Sequence, residues 1–143
     1  MGSDSWASLQ DGLYKRFSTG ASIIIQEMGY ALGEMLFDSS SMTASGKPEA
    51  RAPSVLDLGE LMHRTACGKY SIAGNMERGS ELTFSIRNCV FCEGKNSEEY
   101  KCNFVRGIAL GFSTKLYGKE FKSNVYCVQD HQGHLCKIGL TSR

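Results

Sequence analysis

The stretch from Cys102 to Ile138, CNFVRGIALGFSTKLYGKEFKSNVYCVQDHQGHLCKI, decides the fold. Its first half predicts a helix from Cys102 to Gly118, in which apolar residues recur at three- and four-residue spacing and the final glycine acts as a stop. That apolar stripe consists of Val105, Ile108, Ala109, Phe112 and Leu116. The second half predicts a hairpin, with strands at 120–129 and 134–140 around the turn Asp130-His131-Gln132-Gly133.

The register of this hairpin follows from its turn. If Asp130 faces Gly133, then counting outward places Cys127 opposite Cys136. Residues directly opposite on an antiparallel pair have Cβ atoms about 4.5 to 5.5 Å apart. Two thiolates at these positions can therefore share one metal ion.

The N-terminal part predicts helix over residues 5–37, broken near Ser18-Thr19-Gly20, with Thr19 as N-cap. An apolar stripe in the second segment comprises Ile24, Met28, Leu32 and Met35 or Leu36. Gly29 and Gly33 share one helix face, and the same spacing recurs at Gly107 and Gly111. Because glycine costs about 1 kcal/mol in a helix, these pairs indicate a tightly packed helix contact.

The middle of the chain predicts a loop over residues 38–53, a helix from Ser54 to about Gly68, and two strands. The strands are Tyr70–Arg78 and Glu81–Arg87, joined by a two-residue turn at Gly79-Ser80. The fold class is therefore α+β, in two layers, with an antiparallel sheet packed against helices. We expect a single domain over residues 1–143, with a cysteine-rich core at 81–141.

Composition excludes several classes of protein. The net charge is +1 and the basic residues are scattered, so we expect no direct contact with nucleic acid. The start MGSDSWASLQ has neither the basic nor the apolar region of a secretory signal, and no apolar run is long enough to span a membrane. We therefore expect a cytoplasmic protein, in which thiols stay reduced.

Five of the 6 cysteines fall between residues 89 and 136, and they predict a zinc site. The candidate ligands are Cys89, Cys92, Cys102, Cys127 and Cys136, with Glu81 and His134 as weaker candidates for the fourth position. Cys102 opens a helix, where the backbone N–H groups favour a thiolate. An all-thiol reduced core and disulfide bonds are the alternatives.

The run from Cys102 through Gly118-Lys119 to Cys127 and Cys136 resembles the C-terminal core of the 4-vinyl-reductase domain family. In that family a cysteine opens a glycine-containing helix that ends in Gly-Lys, and two further cysteines flank a Gly-containing turn. The Gly29-Tyr30 helix and the NCVFC run at 88–92 extend the resemblance upstream.

The resemblance implies kinship with the ligand-binding domains of aromatic-compound sensors and with membrane-traffic tethering subunits. It further implies a small hydrophobic or aromatic ligand and a homodimer formed through helices. It also implies a zinc ion held by a carboxylate and by three cysteines that correspond to Cys102, Cys127 and Cys136.

No catalytic constellation is present in the sequence: it has no Gly-rich dinucleotide motif and no nucleophile paired with a base and an acid. We therefore expect a small-molecule sensor or carrier, acting with a regulatory protein partner. Its ligand pocket would lie between helices and sheet and be lined by Trp6, Tyr30 and Phe112. The competing hypotheses are a thiol redox switch and a tetrapyrrole vinyl reductase or its accessory protein.

Overall fold

Helices on one side of an antiparallel sheet form the architecture of the chain. The computed structural model describes residues 3–18, 20–40, 54, 58, 69–75, 77–87, 103–131 and 133–143. The elements in this part of the chain are α1 (Ser3–Phe17), α2 (Gly20–Ser40), β1 (Lys69–Gly74), β2 (Glu81–Arg87), α3 (Asn103–Tyr117), β3 (Phe121–Asp130) and β4 (Gly133–Ser142). The predicted α+β class is confirmed.

The break between α1 and α2 lies where the sequence places it. Ser18 adopts a left-handed conformation with φ 53°, which ends α1. Its N–H donates to the Tyr14 carbonyl at 2.9 Å, and its own carbonyl accepts from the Ala21 N–H at 3.1 Å. The predicted N-cap, Thr19, lies outside the described residues.

The four strands pair in the order β1-β2-β4-β3, and each neighbouring pair is antiparallel. One face of the sheet is apolar and buried: Leu82, Phe84, Ile86, Cys136, Ile138 and Leu140. The alternate residues of β2 are less buried, and Glu81 and Thr83 are exposed. This alternation is the period-two pattern of a sheet with one covered face.

The predicted hairpin register is confirmed residue by residue. Asp130 pairs with Gly133, Gln129 with His134, Val128 with Leu135, and Cys127 with Cys136. The prediction succeeded because the turn and the alternating pattern on either side of it specify the same register.

The predicted turn at Gly79-Ser80 is wrong. The β1 strand ends at Gly74, which pairs with Leu82, so residues 75–80 form the connection. The Asn75 side-chain Oδ1 accepts a hydrogen bond from the Arg78 N–H at 3.1 Å, and the main-chain carbonyl of Asn75 accepts one from the Gly79 N–H at 2.8 Å. This local bonding by asparagine turns the chain earlier than the apolar alternation suggested.

The contact between α2 and α3 is made by the four glycines that the sequence singled out. A Cβ added at Gly29 or Gly33 would meet the backbone of α3, and one added at Gly107 or Gly111 would meet the backbone of α2. The two helix backbones therefore touch directly, which confirms the predicted close contact.

The apolar stripe predicted for α2 faces the core only in part, because Leu32 and Leu36 are partly buried and pack against it. Ile24, Met28 and Met35 are 36%, 44% and 64% exposed, whereas Ala21 and Ile25 are fully buried. Since the glycine face of α2 is turned to α3, Ile24, Met28 and Met35 are left on the surface.

Two predictions for the middle of the chain fall largely outside the described residues. Of the helix expected over 54–68, only Ser54 and Leu58 are described, and Leu58 is buried in the core. Of the loop expected over 38–53, the first residues belong to α2, which continues to Ser40.

The hydrophobic core lies between the sheet and α3. Phe84, Ile86 and Ile138 of the sheet pack in one cluster with Ile108 and Phe112 of α3, and partly buried side chains of α2 pack against it. Phe37 of α2 contacts Phe112 edge-on, with ring centroids 5.5 Å apart. Burying such rings supplies much of the favourable free energy of folding.

Candidate functional site

The cysteine region is built on the β3–β4 hairpin. Cys136 is fully buried on the core face of β4, where it pairs with Ile86 on one side and Cys127 on the other. Its sulfur is disulfide-bonded. The side chains of Cys89, Cys92, Cys102 and Cys127 lie outside the described part of the chain, so Cys136 is the one predicted metal ligand whose surroundings are visible.

The fit of zinc to this region depends on the oxidation state of Cys136. A metal-binding cysteine is a thiolate, and a sulfur in a disulfide cannot take that role. Within the described residues, no three His, Cys, Asp or Glu side chains converge on one point. The zinc site stays a prediction, and it requires the reduced form of Cys136.

Glu81 cannot be the fourth ligand of a site at Cys136. On β2 the residue beside Cys136 is Ile86, and Glu81 pairs with Thr141 near the other end of β4. Five residues of strand separate Glu81 from Ile86, about 17 Å at 3.4 Å per residue, and an odd separation places it on the opposite face. His134, by contrast, is two positions before Cys136 on the same strand.

The three residues predicted to line a ligand pocket have different outcomes. Phe112 is fully buried in the core between α3 and the sheet. Tyr30 is partly buried and packs against that same core from α2. The side chain of Trp6 lies outside the described part of the chain.

Two polar residues of α3 were not foreseen, although both interrupt its apolar sequence. Arg106 donates from Nε to the Ser123 Oγ at 2.7 Å and from Nη2 to the Ser123 carbonyl at 3.0 Å. Burial lowers the pKa of its guanidinium. Ser113 is fully buried, and its Oγ has no hydrogen-bond partner. The sequence did hold a signal for their burial, because both residues lie next to members of the apolar stripe of α3.

A polar contact joins the three helices at the start of α3. The Asn103 side chain donates to the Tyr14 Oη at 3.3 Å, and that oxygen is 2.7 Å from the Ser22 Oγ. Asn103 is buried. This contact fixes the first turn of α3, which begins directly after Cys102, against α1 and α2.

The C-terminal end of α3 packs over the β1–β2 connection. The Tyr117 ring lies against Gly79 and contacts the Phe121 ring at a centroid distance of 6.1 Å. Partial burial raises the pKa of its hydroxyl, because the anionic form loses hydration. On the other side of α3, Lys115 forms a surface ion pair with Asp38 of α2 at 2.7 Å, which raises the pKa of Lys115 through that hydrogen bond.

Comparisons with known proteins identify the fold. No family model matches the chain, and no curated protein sequence does. Among solved structures, the phenol-responsive sensory domain of the transcription activator PoxR, with phenol, matches with a TM-score of 0.72 at 16% identity, covering 99% of this chain and 75% of that one.

A second solved structure matches over nearly the same span. Trafficking protein particle complex subunit 3 from Naegleria fowleri, covalently bound to palmitic acid, matches with a TM-score of 0.60 at 15% identity, covering 99% of this chain and 92% of that one. At these identities the likeness establishes a shared fold. In addition, no helix among the described residues is both long and apolar enough to cross a membrane.

Proposed function

We propose that this chain is a binding domain for a small hydrophobic or aromatic molecule and acts as a sensor or carrier. The observation that carries the proposal is the likeness, over 99% of the chain, to two domains whose structures hold phenol and palmitic acid. Both molecules are largely apolar. A site for such a molecule needs apolar walls and few polar groups.

The pocket is proposed between α3 and the sheet, with Phe112 and Tyr30 as lining residues. The aromatic rings of Phe112 and Phe84 lie in the core there, and Tyr30 reaches the same core from α2. Aromatic side chains provide large apolar contact areas with few conformations to lose on binding.

Native mass spectrometry of the protein from its own host tests the proposal, because a retained ligand adds its mass to that of the chain. Phenol and palmitic acid then serve as probes in thermal denaturation. Free ligand at a hundred times Kd stabilises a protein by about 2.7 kcal/mol, and we expect a Tm rise of several degrees with at least one probe. A ligand-free mass, with no Tm rise from either probe, would refute the proposal.

A homodimer is proposed through the exposed stripe on α2. Ile24, Met28 and Met35 follow each other at helical spacing and are 36%, 44% and 64% exposed. Phe17, at the end of α1, is also exposed, by 51%, and we assign these apolar side chains to a surface that a second copy of the chain would bury.

Sedimentation of the double variant Met28→Glu/Met35→Glu tests the dimer. We expect dimers for the wild type and monomers for this variant, because two buried carboxylates would face two more across the interface. Ser71→Glu, on the exposed outer face of the sheet, is the control and should leave the dimer intact. A monomeric wild type would refute the proposal.

Zinc is proposed as a structural cofactor of the reduced protein. The supporting arrangement is the Cys127–Cys136 pair, which with Cys102 and either Cys89 or Cys92 offers enough sulfur for a tetrahedral ion. Metal analysis of protein purified under reductant should give about one zinc per chain, and Cys136→Ser should lose it. Zinc well below half an equivalent, with all thiols free, would contradict this cofactor.

A thiol redox switch is the second candidate function, favoured by the disulfide at Cys136. A dithiol reductant would convert this bond to two thiols while it is itself oxidised. Because a disulfide restricts the unfolded chain, reduction should lower the Tm of the metal-free protein. Equal Tm values and equal ligand affinities in the reduced and oxidised forms would exclude a switch.

A further inference from the structure

Among the described residues, one buried side-chain polar atom has no hydrogen-bond partner. The Oγ of Ser113 is buried and makes no hydrogen bond, and the residue as a whole is 0% exposed. A buried serine in a helix ordinarily bonds the carbonyl four residues earlier. Here both the donor and the acceptor capacity of the hydroxyl are left for another molecule.

Ser113 faces the sheet and not α2. Gly111 lies against α2, and two residues further along a helix the direction has turned by about 200°, to the opposite side. Arg106 and Tyr117 lie seven residues before Ser113 and four after it, so they share its side of α3. Both contact β3, Arg106 through Ser123 and Tyr117 through Phe121. Ser113 is therefore located between these two contacts, on the side of α3 that faces β3.

The surroundings of Ser113 favour a neutral partner. Its neighbours along α3, Ala109 and Phe112, are buried and apolar. Arg106 is two helical turns away, about 10 Å along the axis, and its guanidinium is bonded to Ser123. Among the described residues of α3, none would thus place a cation next to a buried carboxylate at Ser113, and an unpaired carboxylate is costly in an apolar core.

We propose that the Ser113 hydroxyl is the polar anchor of the ligand site, and that it selects a neutral molecule carrying one hydroxyl or carbonyl oxygen on an apolar body. This inference rests on the proposed function, since it assigns a hydrogen-bonding group to the same pocket. The hydroxyl would donate to a carbonyl oxygen or accept from a hydroxyl group, while the aromatic core holds the apolar body.

The test uses two probes of nearly equal shape, phenol and toluene, whose Kd values are measured for the full chain by ligand-observed NMR. The quantity compared is the ratio of the toluene Kd to the phenol Kd. We expect this ratio to fall roughly five- to tenfold in Ser113→Ala, the usual effect of losing one hydrogen bond. Ser71→Ala, an exposed serine of β1, is the matched control and should leave the ratio unchanged.

Thermal denaturation and a second variant show whether a change in the Kd ratio comes from the lost hydroxyl or from a less stable fold. Ligand-free Ser113→Ala should have a Tm at or above that of the wild type, because it removes an unsatisfied polar atom. Ser113→Cys keeps the volume with a weaker hydrogen-bonding group and should give an intermediate ratio.

Three results would overturn the assignment in distinguishable ways. A ratio unchanged in Ser113→Ala, with both probes still binding, would leave the pocket in place and remove Ser113 from it. Benzoate binding more tightly than phenol would refute the neutral class of ligand. Binding of no probe by the wild type would remove the proposed function and the anchor together.

Discussion

The backbone contact between α2 and α3 makes Gly33 a position where one methyl group should be costly. A Cβ at Gly33 would lie inside van der Waals contact of the Ile108 carbonyl oxygen and 2.9 Å from the Phe112 nitrogen. Both atoms belong to a helix backbone, which has no rotamer to move aside. The variant Gly33→Ala must therefore push the two helices apart.

The expected change in the free energy of unfolding is the cost of overpacking minus the gain in helix propensity. Overpacking a core costs about 1 to 3 kcal/mol, and a backbone clash belongs at the upper end of that range. Alanine regains about 1 kcal/mol of helix propensity over glycine. The net loss is about 2 kcal/mol. With an unfolding entropy of about 2.1 cal/mol/K per residue, a chain of 143 residues should lose about 7 °C in Tm.

Gly12→Ala is the control for this experiment. Gly12 lies within α1, and a Cβ added there meets no atom within 4 Å. That variant should gain up to about 1 kcal/mol from helix propensity alone. Calorimetry and urea denaturation of both variants give the comparison. If Gly33→Ala is as stable as the wild type, or changes stability in the same direction as Gly12→Ala, the direct backbone contact is refuted.

Three further predictions concern the end of α3 and its contacts. Gly79→Ala should lose more free energy of unfolding than Gly118→Ala in urea titrations. Both glycines have left-handed φ angles, 62° and 65°, but only at Gly79 would a Cβ meet the Tyr117 ring, at 2.6 Å. Equal losses would contradict that contact. Arg106→Lys should lower stability by about 1 to 2 kcal/mol, because an ammonium cannot donate in parallel to the Ser123 hydroxyl and carbonyl; the exposed Lys122→Met is its control. Because the pKa of Tyr117 is raised in the folded state, this tyrosine ionises at a lower pH in the unfolded chain, and the free energy of unfolding should fall as pH rises above 10.0. If the free energy of unfolding falls as steeply between about pH 9 and 11 in Tyr117→Phe as in the wild type, Tyr117 is not the cause.

Local signals in the sequence predicted much of this fold. The register that places Cys127 opposite Cys136 follows from one turn and the alternation beside it. The glycine pairs predicted a close helix contact because glycine in a helix is unfavourable without one. In both cases the information lies within a few residues.

Predictions failed where a distant partner or a local side chain decided the outcome. The predicted stripe of α2 packs against the core through Leu32 and Leu36. Its other members, Ile24, Met28 and Met35, are exposed because the orientation of α2 is set by its contact with α3 far along the chain. Glu81 was a candidate metal ligand because of its distance along the sequence from the cysteines. The pairing of β2 with β4, which places it away from Cys136, cannot be predicted from the sequence of either strand. Ser113 was missed because sequence periodicity shows that a residue is buried but not whether its hydroxyl has a partner.

The strand order has a consequence for how the sheet opens. The pairs β1–β2 and β3–β4 are each local hairpins, whereas β2 and β4 join residues as distant as Glu81 and Thr141. Hairpins form within microseconds, but closing the long-range seam between them carries the larger entropic cost. Fluctuations that fray β1 or β3 leave this seam intact. Amide protons that bond across it should therefore exchange with solvent only when the whole domain unfolds, so their exchange rates would report its global stability.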